Sequence, residues 1–155
     1  MKKLTALLLG IVCGLGLAAC SPEEAEAPGL DPDWFDVQSV VEAGAFSEEL
    51  EELDADTAFM LYNLADHGLS REDLVEAHVL RSAGATCEEV ALLEFADVEK
   101  ADQGKEAMAD YVGSQIEANT DYRPNEIPKL EAALLEQFEN TVRLVVANDL
   151  DVLKD

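Results

Sequence analysis

Acid outnumbers base more than threefold in this chain, with 34 Asp and Glu against 10 Lys and Arg and a net charge of −24 over 155 residues. Any fold it adopts must give those carboxylates water or hydrogen-bond donors, which limits both the core and the partners. A field of this sign repels phosphate backbones, so no nucleic-acid partner is expected. The chain is nevertheless 48% apolar, too much for a wholly disordered acidic polymer, and its length suits about one domain. Two His and one Trp leave little material for a histidine-rich metal site or an aromatic stacking platform.

Residues 1–20 read as an address. Lys2 and Lys3 form a positive n-region, and Leu4 to Leu17 is an apolar run of signal-peptide length, too short for an ordinary membrane span. Leu17-Ala18-Ala19-Cys20 looks like the lipobox of bacterial lipoprotein signals. Small residues before the scissile Ala19–Cys20 bond let the peptidase approach, and the thiol of Cys20 accepts the diacylglycerol. Cleavage there removes two cations and no acid, leaving 8 basic and 34 acidic residues and a net charge of −26. Cys13 departs and Cys20 carries lipid, so Cys87 is the remaining free thiol and no internal disulfide is expected. Two or three acyl chains hold at about 0.8 kcal/mol per buried methylene, enough for a stable anchor.

The sequence then divides. Residues 21–33 carry three Pro, one Gly and five acids with no apolar periodicity, the composition of a disordered acidic linker. Residues 34–155 read as a single α+β domain. Val37, Val40 and Val41 recur at helical spacing within Asp36–Ala45, with Gly44 as the stop, and residues 47–50 are expected to add a helical turn. A short helix is expected from Asp56 or Thr57, capped by one of them. Leu74–Arg81 and Glu89–Phe95 predict a β-hairpin with a longer connection, Val75, Ala77 and Val79 sharing a face that Glu76, His78 and Arg81 do not. Asp97 is placed to cap a long helix to Asn119, whose stripe is Val98, Ala101, Met108, Val112 and Ile116. Leu130–Phe138 fits helix or strand, Thr141–Ala147 alternates as a strand, and Leu150–Lys154 starts a last helical turn. The expected architecture is a four-stranded antiparallel sheet from two hairpins joined by the long helix, with short N-terminal helices and one face covered by helix.

Several stretches resemble a family of small bacterial lipoproteins catalogued only as a domain of unknown function and common in clostridia-like Gram-positive bacteria. They are Glu42 to Phe46, Leu53-Asp54, Leu61-Tyr62, Gly84 to Thr86 with Glu88 to Ala91, Tyr122 to Pro124 with Lys129 to Glu131, and Leu144 to Val146. The likeness runs from about Val37 to Asp149. It implies a lipid-anchored extracytoplasmic domain and a strand in the Leu130 segment, and it brings no assigned catalytic residues. Where the family tends to place Lys-Gly in the final hairpin, this chain has Phe138-Glu139, which makes a type I′ turn less comfortable.

No constellation meets the requirements of a known chemistry. A calcium loop started at Asp54 continues with Asp56 but meets Ala58 and Phe59 where an acid and Gly are needed, and Asp149 with Asp151 is equally incomplete. Asp31 and Asp33 read as part of a solvated tether. His67, His78 and Cys87 do not have zinc-ligand spacing; both His are expected to be exposed, and Glu88 and Glu89 are expected to raise the Cys87 thiol and suppress nucleophilic use with His78. The run Glu48 to Glu52 is expected on a solvated surface. No catalytic residue, metal or cofactor is therefore assigned. The favoured expectation is a non-enzymatic binding or interaction module, lipid-anchored on the outer face of the cell membrane, with a cationic protein or peptide as partner. The alternative is a small extracytoplasmic hydrolase using Glu76 and Glu94 on an exposed sheet face.

The address is checked by mass spectrometry of the protein extracted from membranes. Its N-terminal peptide is expected to begin at Cys20 and carry acyl mass, and Cys20→Ala is expected to lose the acyl mass and leave the chain uncleaved, with Met1 at its N-terminus.

Overall fold

The computed structural model describes residues 36–153, so the expected signal peptide with Ala19 and Cys20, the expected linker, Trp34 and Lys154 lie outside the described residues. Asp36 opens the first helix, α1 (Val37–Glu42), by accepting the Gln38 amide at 3.2 Å, and Gly44 at φ +80° turns the chain out of it. A helical turn does not follow. Leu50–Leu53 is a strand, β1, antiparallel to β2 (Leu74–Ser82) with Leu50 opposite Ser82 and Leu53 opposite Val79. Four residues are too few to display an alternation, and the two central acids read as surface. Short length and charge are also what protect a sheet edge from further pairing.

Helix α2 (Ala55–Leu61) is capped by Asp54, which accepts the Thr57 amide at 2.8 Å, earlier than the expected caps. Asp56 instead holds Arg71 Nε at 2.6 Å. Strand β2 forms the expected hairpin with β3 (Glu89–Phe95), but the register shifts between Leu74 and Glu76, and Val75 turns outward, 60% exposed, instead of joining Ala77 and Val79. Arg81, expected off the core face, shares it with Val79 and lies opposite Glu89.

Asp97 caps α3 (Val98–Asn119) through the Lys100 amide at 2.9 Å, as the sequence predicts. Its buried side carries Ala101, Gly104, Ala107, Met108 and Tyr111; Val98 in the first turn is 53% exposed and leaves the stripe. The ambiguous Leu130 segment divides. Pro128 starts α4 (Ile127–Glu131), and the chain then extends into β4 (Leu134–Phe138), paired with β5 (Thr141–Val146). The turn between them puts Glu139 at φ +51°, the strained position where Gly was expected to be missed. Asn140 compensates by donating to the Phe95 carbonyl at 2.8 Å and accepting the Phe95 amide at the same distance. A last 3₁₀ turn, Asp151–Leu153, buries Leu153.

The α+β class is as expected, but the antiparallel sheet has five strands, in the order β1-β2-β3-β5-β4. On its inner face α2 and α3 enclose Tyr62, Leu93, Phe95, Met108 and Leu144. Helix is not confined to that side. On the outer face α1 and the C-terminal turn enclose Val40, Val90, Val145 and Leu153. Among the described residues no helix is long and apolar enough to cross a membrane.

Two glycines of α3 test this packing with opposite signs. A Cβ on Gly104 would lie 2.2 Å from Phe95 Cζ, whereas one on Gly113 would meet nothing within 4 Å. Gly104→Ala is expected to cost about 1–3 kcal/mol and lower the urea midpoint. Gly113→Ala is expected to raise it by roughly 0.5–1 kcal/mol of helix propensity.

Candidate functional site

Polar chemistry gathers where β2 passes into β3. Inward positions on β3 alternate as Glu89, Ala91, Leu93 and Phe95, so a single acid occupies a row otherwise apolar. Glu89 is 1% exposed. Its carboxylate accepts Tyr62 Oη at 2.6 Å, Tyr111 Oη at 2.8 Å and Arg81 Nε at 3.1 Å. The two phenol rings meet edge to face, centroids 5.0 Å apart. Burial pushes the Glu89 carboxyl up, and the three donors pull part of the way back. Both phenols are pushed up, by burial first and then by the Glu89 charge.

Its neighbour Glu88 is fully buried and accepts the Ser47 amide at 2.7 Å, Ser47 Oγ at 2.6 Å and Lys129 Nζ at 2.7 Å. Lys129 also reaches Glu126 at 3.2 Å, and Glu126 accepts the Cys87 amide at 2.9 Å. Glu48, expected on a solvated surface, is half-buried and takes Ser82 Oγ, the Thr86 amide at 3.1 Å and Thr86 Oγ1 at 2.7 Å. Those bonds hold its carboxyl below the ordinary range. Arg123 closes the cluster on the Gly84 carbonyl at 2.9 Å. Each of these carboxylates already accepts donors from the chain, and together they clamp the β2–β3 connection to residues 47–48, just before β1, and to the α4 region.

The residues singled out from the sequence are dispersed. Cys87 is 5% exposed and packs in the inner core, its thiol pushed up by burial foremost and by Glu126, not by the adjacent acids as expected. His78 lies on the outer face, exposed, with Nε2 2.9 Å from Glu76. The sheet thus separates it from Cys87. His67 departs from its expected exposure: its side chain is 18% exposed, 3.5 Å from Asp110 of α3. Asp54 is spent on its helix cap and Asp149 on the Asp151 amide at 3.0 Å. Among the described residues no group of three or more His, Cys, Asp or Glu is placed to hold a metal.

Glu76 and Glu94 do come together, opposite one another across β2 and β3 on the outer face. Glu76 is exposed, and Glu94 is half-buried with Asn140 Nδ2 at 3.3 Å. Beside them, between α1 and the sheet, runs a groove of about 490 Å³ lined by Asp36, Val37, Gln38, Glu52, His78, Val79, Leu80 and Leu92. It has an apolar floor and an acidic rim.

Sequence reasoning did not find the buried clusters or the groove. Glu89 did carry a signal, since it shares the parity of Ala91, Leu93 and Phe95 in an apolar strand. Its donors are 27, 22 and 8 positions away, and nothing local announces them. No family model matches this chain, and no curated protein or solved structure matches it. The likeness to the lipoprotein family therefore has the quoted residues alone behind it.

Tyr62→Phe tests the Glu89 cluster. A lost hydrogen bond to a buried charge costs about 1.5–3 kcal/mol. A carboxyl raised in the folded state binds more protons folded than unfolded, so stability falls as pH rises from the ordinary Glu range through the raised value. Urea midpoints measured from pH 4 to 8 are expected to fall more steeply for Tyr62→Phe than for the parent, because one of the donors opposing that rise is gone.

Proposed function

We propose that this chain is a lipid-anchored extracytoplasmic binding module, held at the outer face of the cell membrane through Cys20, that receives a cationic protein or peptide in the outer-face groove. The observation carrying this reading is the groove itself, with Leu80 and Leu92 on its floor and Asp36 and Glu52 on its rim. An apolar floor with a few charged groups at the edge is the usual make-up of a recognition site, and a mature charge of −26 steers positive ligands toward it. The lipobox-like Leu17-Ala18-Ala19-Cys20 supports the proposed placement, as does the resemblance to small lipoproteins.

The hydrolase reading has one contact in its favour, the Glu76–His78 pair beside the groove. Its side chains are 58% and 53% exposed, however, so water screens the pair and surrounds any group it would act on. The buried carboxylates that could hold a shifted proton are consumed by Tyr62, Tyr111, Arg81, Ser47 and Lys129. Recognition is the function that this arrangement supports best.

Titration calorimetry with a short peptide of alternating lysine and leucine checks it. Affinity is expected to fall with added salt, and Glu52→Lys is expected to weaken binding about tenfold, the effect of turning one exposed attraction into a repulsion. Equal affinity of the parent and Glu52→Lys chains would overturn the reading.

A further inference from the structure

We infer that the open edge of β4 is a second docking surface, on which an extended basic segment of another protein adds as a further strand. β4 ends the sheet on the side away from β1, and among the described residues no strand lies beyond it. The direction of its main-chain groups follows from the hairpin. Asn140 aims its carbonyl at the Phe95 amide, 2.8 Å away on the β3 side, so the groups of Thr141 turn the other way, toward β4. Thr141 lies opposite Phe138, Arg143 opposite Glu136 and Val145 opposite Leu134, so Phe138, Glu136 and Leu134 direct their amides and carbonyls to β5. Leu135 and Gln137 therefore point theirs out of the sheet. Two N–H and two C=O groups on alternate residues are what an added strand pairs with.

The two edges of the sheet are not alike. β1 is four residues long, carries Glu51 and Glu52, and runs straight into the α2 cap at Asp54, which leaves a short template. β4 is longer, and its one acid, Glu136, is engaged with Arg143 of β5. The charge around β4 says what it takes. Glu131 precedes it, Glu139 follows it, and Asp102 of α3 reaches it, accepting Gln137 Nε2 at 2.7 Å; all three acids are exposed. Lys105, one helical turn on from Asp102, offsets one of them. An extended segment with lysine or arginine at alternate positions matches that excess, and the charge of the whole chain steers it in. A second copy of this chain does not match. It brings the same acids to the same edge, and antiparallel pairing centred on β4 sets Glu136 against Glu136. This surface lies apart from the groove, whose lining comes from α1 with its cap and from β1, β2 and β3, and it does not rest on the reading above.

The probe is the peptide Lys-Val-Lys-Val-Lys-Val, acetylated and amidated, added to the isotope-labelled full chain. Nuclear Overhauser contacts are expected between the peptide backbone and the amides of Leu135 and Gln137, together with slower hydrogen exchange at those two amides. Gln137→Pro removes one outward N–H and leaves the β4–β5 ladder its bonds, since proline is tolerated where an edge strand faces solvent. It is expected to weaken the peptide about tenfold, the loss of one main-chain hydrogen bond. Gln137→Ala keeps that N–H and loses only the exposed bond to Asp102, and it is expected to bind within about twofold of the parent. Equal affinities of the parent and Gln137→Pro chains overturn the edge, and so does an absence of binding. Contacts confined to Leu80 and Leu92 also overturn it, while leaving the groove reading in place. A chain that dimerises alone in sedimentation, and stays monomeric as Gln137→Pro, assigns the edge to a second copy and overturns the basic partner. If Gln137→Pro loses the exchange protection of its β4–β5 ladder, the contacts in the unmodified chain decide.

Discussion

The first residue of β3 is a carboxylate sealed between sheet and helix, and the placement of its neighbours follows from the need to supply it with donors. Glu89 takes one from β2, one from the end of α2 and one from α3, so three elements must reach a common point before the inner core closes. A buried ion without partners costs several kcal/mol, and removing one partner from such a group is correspondingly destructive. The cluster therefore acts on the choice of structure more than on its depth. An apolar residue at the same position would bury as well, but it would not distinguish α2 and α3 in their present positions from a sheet slipped against them.

The rest of the acid excess is disposed of by the same device in a milder form. With ten cations in the chain, ion pairing cannot serve 34 carboxylates. Many act as acceptors for main-chain amides instead: Asp36 for Gln38, Glu88 for Ser47, Asp54 for Thr57, Asp73 for Ser70, Glu48 for Thr86, Glu126 for Cys87 and Asp97 for Lys100. These are the amides that helix starts and loops leave without partners. Such bonds favour the ionised form: Asp54 and Asp73 are held below the ordinary carboxyl range chiefly by them, and Glu48 by the Ser82 and Thr86 hydroxyls first and the Thr86 amide after them. Their contribution is complete above that range and is lost as pH falls through it, whereas the Glu89 contribution weakens as pH rises. The two trends oppose each other and bound the pH over which the fold is most stable.

How much of this could be read from the residues depended on the range of the interactions involved. Helix α3 was legible because its cap, stripe and stop are local. The β2–β3 hairpin was legible because both strands exceed five residues. The short β1 was not, since its identity rests on pairing with residues some thirty positions on. The Leu130 segment was ambiguous for a sound reason: Pro128 begins a helical turn, and Leu134 finds a partner in Val145. Val75 was misplaced because alternation assumes an unbroken register, and the bulge at Leu74–Glu76 breaks it. The acids of the β2–β3 junction suggested no cluster because their donors, Ser47, Tyr62, Tyr111 and Lys129, come from four separate segments. The groove was invisible for the same cause, since it exists only where α1 crosses strands brought from elsewhere in the chain.

On the proposed placement, charge and tether divide the work of presenting that groove. Repulsion between an acidic body and anionic lipid is screened over about 8 Å at physiological salt, so it needs only a few residues of clearance to vanish. The stretch from Cys20 to Asp36 spans up to about 50 Å when extended, far more than such clearance requires. The surplus is reach. On the proposed placement the groove, whose wall includes Asp36, opens where the described domain begins and so faces the chain that leads to the anchor.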